Sequence, residues 1–214
     1  MEAVGTDFLW YPYIPLGKIT IMLADPGVGK TTLCLKLASI VSRGEHFYLE
    51  SENPFVKREP GFVIYQTAED GIADTIVPRL QSMKANLDNI CVINEGKQAL
   101  TFTDARIEQA LNDKHPRLMI FDPIQAYLGS DLDMHRANEV RPVLTELSRL
   151  SEQYKCAMIL IAHISKMSSN SALYRALGSI DIVALARSEI ILVNKPDDPD
   201  KHKLITHEKS SLAP

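Results

Sequence analysis

The sequence predicts an α/β fold in which a mainly parallel β-sheet carries helices on both faces and an antiparallel hairpin closes one edge. Three observations carry that expectation. Apolar runs of strand length alternate with stretches whose apolar residues recur at helical spacing. Each run reads apolar throughout, as strands covered on both faces do. The third is residues 18–37, KITIMLADPGVGKTTLCLKL, which read as a buried strand, a glycine-containing turn and the start of an amphipathic helix.

That turn carries Gly29-Lys30-Thr31 in the register of G-x-x-x-x-G-K-[ST], a phosphate-binding P-loop. Asp25, Pro26, Gly27, Val28, Gly29, Lys30, Thr31 and Thr32 are therefore the expected contacts to a nucleoside triphosphate. Main-chain N–H groups of the turn and of the helix N-terminus form a positive nest around the β-phosphate. Lys30 reaches the β- and γ-phosphates, and the Thr31 hydroxyl completes a Mg²⁺ shell. The motif's first glycine is Ala24 here. Alanine gives up backbone freedom there, at a position that closes the strand.

The remaining elements follow in order. The first helix runs to about residue 42, and residues 43–60 read as a loop punctuated by Gly44, Asn53-Pro54 and Glu59-Pro60. A strand over 61–66 precedes a helix over 72–84, and a further strand covers 90–93. Thr103-Asp104 caps a helix to about residue 111. The apolar strand 118–121 ends in Asp122, and a loop over 123–135 leads to a helix over 138–154. The strand 157–161 is followed by a serine-rich loop, 165–171. Strands 189–193 and 202–206, joined by the turn 196–200, make the closing hairpin. No internal repeat or second domain is evident, so residues 1–17 read as a lead-in segment and 18–214 as one domain.

Composition narrows the function classes. With 214 residues, 45% of them apolar, the chain can bury one sizeable core. The net charge of −4 gives no global basic field, so any DNA contact has to be local, on loops and shared between subunits. Cys34, Cys91 and Cys156 lie far apart with no C-x-x-C, as in a reducing cytosol. The six histidines show no ligand spacing for a structural metal. The start, MEAVGTDFLWYPYIPLG, lacks a basic n-region and is broken by Pro12 and Pro15, so neither a signal peptide nor a membrane span is expected. A soluble cytoplasmic protein is the expectation.

In parallel sheets, ligands gather at the carboxyl ends of the strands. Asp122 follows Leu-Met-Ile-Phe, the pattern of a Mg²⁺-side carboxylate paired with a P-loop. Proline follows it instead of glutamate, so a general base has to come from elsewhere. Glu69, in Gln-Thr-Ala-Glu-Asp-Gly just past the strand 61–66, is the candidate to orient the attacking water. Its neighbour Asp70 competes for that role but reads better as the N-cap of the helix near Ile72. His163 ends the strand 157–161 and reads either as a γ-phosphate contact or as a hydrogen-bonded strand-end histidine. Lys166, Tyr174 and Arg175 could track single-stranded nucleic acid or line an ordinary solvated loop. Arg187, with Lys203 and Lys209, reads as a finger delivered to a neighbour's γ-phosphate or as surface charge.

Taken together, IPLGKITIMLADPGVGKTTL, VIYQTAEDG, LMIFDPIQAYLG, LIAHISK, ALGSIDIVALARS and HEKSSLAP resemble the RecA-like ATPases. Within that superfamily the resemblance is to the RepA-type branch of replicative hexameric helicases, AAA family ATPases of plasmid and phage type. It implies a RecA-like P-loop NTPase core that binds and hydrolyses ATP with Mg²⁺ as a motor on single-stranded DNA. Lys30 and Glu69 would be catalytic, Thr31 and Asp122 would hold the metal, and His163 would be the sensor. Arg187 would act in trans. The loops 123–135 and 165–178, with Lys166, Tyr174 and Arg175, would line a central channel of a hexameric ring and contact DNA. Relatives of this kind often continue past Ser-Leu-Ala-Pro, so a fragment, a minimal protein or an expression product are all open. Two other readings also stay open: a recombinase-like protein forming filaments on DNA, and a nucleotide-switched regulatory ATPase that binds a protein partner.

Overall fold

Side chains alternate along seven strands of one sheet, and each face of that sheet is buried under helices. The computed structural model describes residues 5–47, 58–96, 98–129, 132, 136–163 and 184–212. Its strands are β1 (Phe8–Trp10), β2 (Ile14–Pro15), β3 (Ile19–Ala24), β4 (Val63–Thr67), β5 (Ile90–Cys91), β6 (Leu118–Asp122), β7 (Ala157–His163), β8 (Ser188–Asn194) and β9 (Lys203–Ser210). The helices are α1 (Lys30–Arg43), α2 (Val77–Ser82), α3 (Ala105–Lys114) and α4 (Ala137–Tyr154). The order β5-β4-β6-β7-β3-β8-β9 is parallel except for β9, which runs antiparallel to β8 at one edge. This is the expected architecture, edge hairpin included.

One face sends Met22, Tyr65, Ile120, Ile159 and Ile190 into a core with Cys34, Leu35, Leu37, Ala38 and Val41 of α1 and Leu80 of α2. The other sends Ile21, Leu23, Ile64, Met119, Phe121, Met158, Leu160 and Ile191 against α3 and α4. Two buried faces explain why the inner strands read as continuous apolar runs. The lead-in segment contributes Leu9, Trp10 and Ile14 to the α1 side, where Trp10 stacks on Phe47 at 5.7 Å.

Several elements differ from the expected ones for local reasons. Residues 72–84 do not form one α-helix: a π-helical turn, Ile72–Ile76, precedes α2. Pro78 has no N–H to offer the carbonyl of Asp74 and would clash with it, so the α-helix restarts with proline in its first turn. Asp70 does not cap this segment. Gly71 occupies the N-cap position without a side-chain cap, and Asp70 pairs instead with Arg79 at 3.3 Å. Strand β5 stops after Cys91, and beyond it the Gln66 side chain stands in for a neighbouring strand. Its Oε1 accepts from the Ile93 N–H at 2.5 Å and its Nε2 donates to the Ile93 carbonyl at 3.4 Å.

Strand β9 runs to Ser210 and is not apolar, because an edge strand is held by main-chain pairing along all of β8 and leaves polar residues in water. Asp104 does cap α3, accepting from the Arg106 N–H at 2.9 Å, and that helix continues to Lys114. Among the described residues no helix is long and apolar enough to cross a membrane.

Gly44 ends α1 at φ 69°, its N–H reaching the Ile40 and Val41 carbonyls. A Cβ there would lie 2.5–2.8 Å from main-chain atoms of Arg58, Glu59 and Pro60. Gly44→Ala is therefore expected to lower stability by about 2 kcal/mol or more, through left-handed strain plus backbone displacement. Urea unfolding followed by circular dichroism measures the shift in midpoint.

Candidate nucleotide site

The carboxyl ends of β3, β4, β6 and β7 all open at one end of the sheet, because these four strands are parallel and contiguous in it. Strand β3 ends at Ala24, fully buried and level with His163 of β7. Alanine is accommodated there because the position is still extended strand. The loop then turns through Asp25, Pro26 and Gly27, all exposed, and Val28 anchors it against Ala24 and Leu192. Gly29 sits at φ 112°, a conformation closed to residues with a side chain, and no atom lies within 4 Å of where its Cβ would be. The space beside the loop is thus open to a ligand, and α1 begins at the next residue, so the positive end of its dipole lies at the loop.

Lys30 is buried and donates to the Ala24 carbonyl at 2.9 Å and the Asp25 carbonyl at 3.2 Å, tying the loop back on itself. Burial holds its pKa below the usual lysine value, while Asp122, Glu69 and Asp25 pull the other way. Thr31, half-buried, donates from Oγ1 to Asp122 Oδ2 at 2.9 Å. Thr32 is exposed at the mouth. Asp122 is 3% exposed, and burial raises its pKa against the opposing hydrogen bonds from Thr31 and Tyr65. The paired hydroxyl and carboxylate form an all-oxygen donor set that fits a hard divalent cation such as Mg²⁺.

Glu69 lies on the exposed turn after β4, where the Thr67 hydroxyl accepts from the Glu69 and Asp70 N–H groups at 3.3 and 3.2 Å. Its charge bears on both Lys30 and Asp122. Lys30, Thr31, Asp122 and Glu69 are therefore brought together.

Arg187 is not. It precedes β8, exposed, with its N–H on the Ile19 carbonyl at 3.0 Å, at the far end of β3. Strand β3 alone separates it from its own P-loop by roughly 17 Å. Lys209 is at the same far end, donating to the Ala184 carbonyl at 3.2 Å, with a pKa lowered by burial and by Arg187. Lys203 is at the P-loop end, hydrogen-bonded to Asn194. The side chain of His163 lies outside the described part of the structure, as do Lys166, Tyr174 and Arg175.

One partner of the site was not singled out from sequence. The Tyr65 hydroxyl donates to Asp122 Oδ2 at 3.0 Å. Strand alternation puts Tyr65 on the same face as Thr67, a signal available once β4 and β6 are known to be neighbours. Away from the site, ligand atoms of Asp198, Asp200 and His202 lie within 4.8 Å of one another, a proximity the spacing of the histidines did not suggest. Turn hydrogen bonds account for it, since Asp198 accepts from the Asp200 and His202 N–H groups and from the His202 ring.

The raised pKa of Asp122 fixes the sign of a stability effect. A folded carboxyl that holds its proton more tightly than the unfolded chain stabilises the fold below the ordinary carboxylate pKa and loses that contribution as pH rises through its folded value. Asp122→Asn is therefore expected to resist urea better than the wild type at about pH 7, with the gap closing towards about pH 4. Paired urea titrations across that range check both the sign and the trend.

The chain is similar to known proteins in sequence and in fold. Residues 6–169 match the family described as AAA domain. The chain is 26% identical over 153 residues to DNA repair protein RadA of Chlamydia muridarum, covering 70% of this chain and 29% of that protein. It is likewise 26% identical over 156 residues to DNA repair protein RadA of Campylobacter jejuni, again 29% of that protein's length. Its fold resembles the crystal structure of a KaiC-like protein from Pyrococcus horikoshii OT3, with TM-score 0.60 and 14% identity over 92% of this chain and 81% of that one. The chain belongs to the AAA domain family and has a RecA-like fold carrying a P-loop sequence.

Proposed function

We propose that this domain binds ATP with Mg²⁺ and hydrolyses it, with turnover stimulated by single-stranded DNA. The carrying observation is the 2.9 Å contact between Thr31 and Asp122 beneath a loop of P-loop sequence. Lys30 leaves its loop carbonyls for the β- and γ-phosphate oxygens, a stronger charge-assisted partner. Thr31 and Asp122 would hold the metal, which would supply positive charge against the charge developing on the phosphate oxygens. Glu69, solvent-facing and within electrostatic reach of Lys30 and Asp122, orients a water in line with the γ-phosphate and takes its proton. His163 senses the γ-phosphate from the end of β7.

Arg187 serves a neighbouring subunit's phosphates, since its own lie at the other end of β3. Residues 18–214 act as the ATPase domain, with 1–17 as its lead-in. Within the superfamily we assign the chain to the RepA-type helicase branch, working as a hexameric ring. The relatives named for DNA repair support DNA as the stimulating polymer. We place the contact on Lys166, Tyr174 and Arg175, since a chain of net charge −4 has to reach the strand through a few local cations. That same charge favours the second reading, a slow nucleotide switch acting on a protein partner.

Two experiments test the proposal. Glu69→Gln is expected to bind ATP within about two-fold of wild type yet lose on the order of 10²–10⁴-fold in kcat, while Asp70→Asn stays near wild type. The reverse pattern would move the base to Asp70. Steady-state hydrolysis with and without single-stranded DNA, with Lys30→Ala as the blank, is expected to show clear stimulation by DNA. Slow turnover indifferent to DNA selects the switch.

A further inference from the structure

Asp122 is gripped from two sides. Thr31 at the start of α1 and Tyr65 in the middle of β4 both donate to Oδ2, at 2.9 and 3.0 Å. The strand register explains how a tyrosine reaches it. Tyr65 pairs with Ile120 and Thr67 with Asp122, so Tyr65 and Asp122 are diagonal neighbours on one face. Diagonal positions lie about 7–8 Å apart, a gap that a phenol spans and a shorter side chain does not. The ring itself is wholly buried in the α1-side core with Met22 and Cys34. Phenylalanine would fill that core volume equally well, so packing alone does not call for the hydroxyl.

A carboxylate has a broad, nearly two-fold torsion about its last bond and holds one orientation only when its oxygens are engaged. With Thr31 as sole donor, Asp122 would follow that side chain when the Thr31 oxygen turns to a cation. A second donor fixed to the sheet removes that freedom. We propose that Tyr65 is a positioning residue for the metal, its hydroxyl pinning the Asp122 carboxylate beside Thr31 so that the two oxygens stand ready for a divalent cation. The inference rests on the reading of Thr31 and Asp122 as metal-holding residues. Groups that orient ligands from behind are worth about 10–100-fold in metal affinity.

The test is Tyr65→Phe, read by binding and not by turnover. Binding of a fluorescent, non-hydrolysable ATP analogue is titrated against Mg²⁺ for wild type and variant, and repeated in EDTA. The Mg²⁺ midpoint is expected to rise about ten-fold in Tyr65→Phe, with binding in EDTA unchanged within about two-fold. A Mg²⁺-dependent wild type with an unshifted Tyr65→Phe midpoint overturns this inference alone. A fall in EDTA binding equal to the fall in Mg²⁺ also overturns it, because the hydroxyl would then be holding the fold and not the metal site. A wild type whose binding ignores Mg²⁺ overturns the metal assignment and this inference together. Should the phenylalanine variant not fold, Tyr65→Met also fills the space without a hydroxyl and faces the same outcomes.

Discussion

A carboxylate buried at the end of a central strand has to be hydrogen-bonded or protonated, and Asp122 is the point where the rest of the site meets that demand. Its side chain is almost closed off from water, yet it lies two strands away from the P-loop strand. Hydroxyls from α1 and β4 supply the compensation. Removing both donors would leave a charge unpaired in a low-dielectric setting, where such groups are most costly. The contact therefore does structural and chemical work at once. It locks the first turn of α1 to β6, and in doing so it fixes the distance between the phosphate loop and the oxygens proposed to hold the metal.

The parallel register then dictates which charges can share the site. Every strand of the seven-stranded sheet except the antiparallel edge strand β9 points its carboxyl end the same way, so residues at the ends of β3, β4, β6 and β7 converge, and residues just before a parallel strand are sent to the opposite end. Glu69 and Asp122 belong to the first group. Arg187, immediately before β8, belongs to the second, and β9 reverses direction so that Lys203 returns to the phosphate end while Lys209 stays at the far one. One polarity sorts five charged residues without any reference to their local sequence.

The same polarity explains how much was legible beforehand. The turn at Gly29, the strand end at Asp122, the N-cap Asp104 and the alternation of inner strands with helices are readable because each depends on local chemistry: a glycine at positive φ, a capping carboxylate, a doubly buried strand. What was not readable depends on neighbours. Asp70 was a reasonable cap until Pro78 forced a π-helical turn and Arg79 came within 3.3 Å. Gln66 gave no sign that its amide would extend the sheet past β5. Strand β9 was cut short because polar residues break an apolar pattern, although an edge strand needs only pairing. Tyr65 reads as one more apolar strand residue because its partner Asp122 is 57 positions away.

Arg187 shows where these constraints meet. It is exposed and fixed at its backbone to Ile19, with β3 interposed between it and its own phosphate loop. No side-chain rotation spans roughly 17 Å, since an extended arginine reaches less than half that distance. An arginine in this position therefore cannot stabilise charge at the loop of its own chain. A role at phosphate requires a second copy presented with its P-loop end against this one's Arg187 end. Such a head-to-tail contact uses two different surfaces, which is the geometry that closes into rings or extends into filaments rather than pairing into a two-fold dimer.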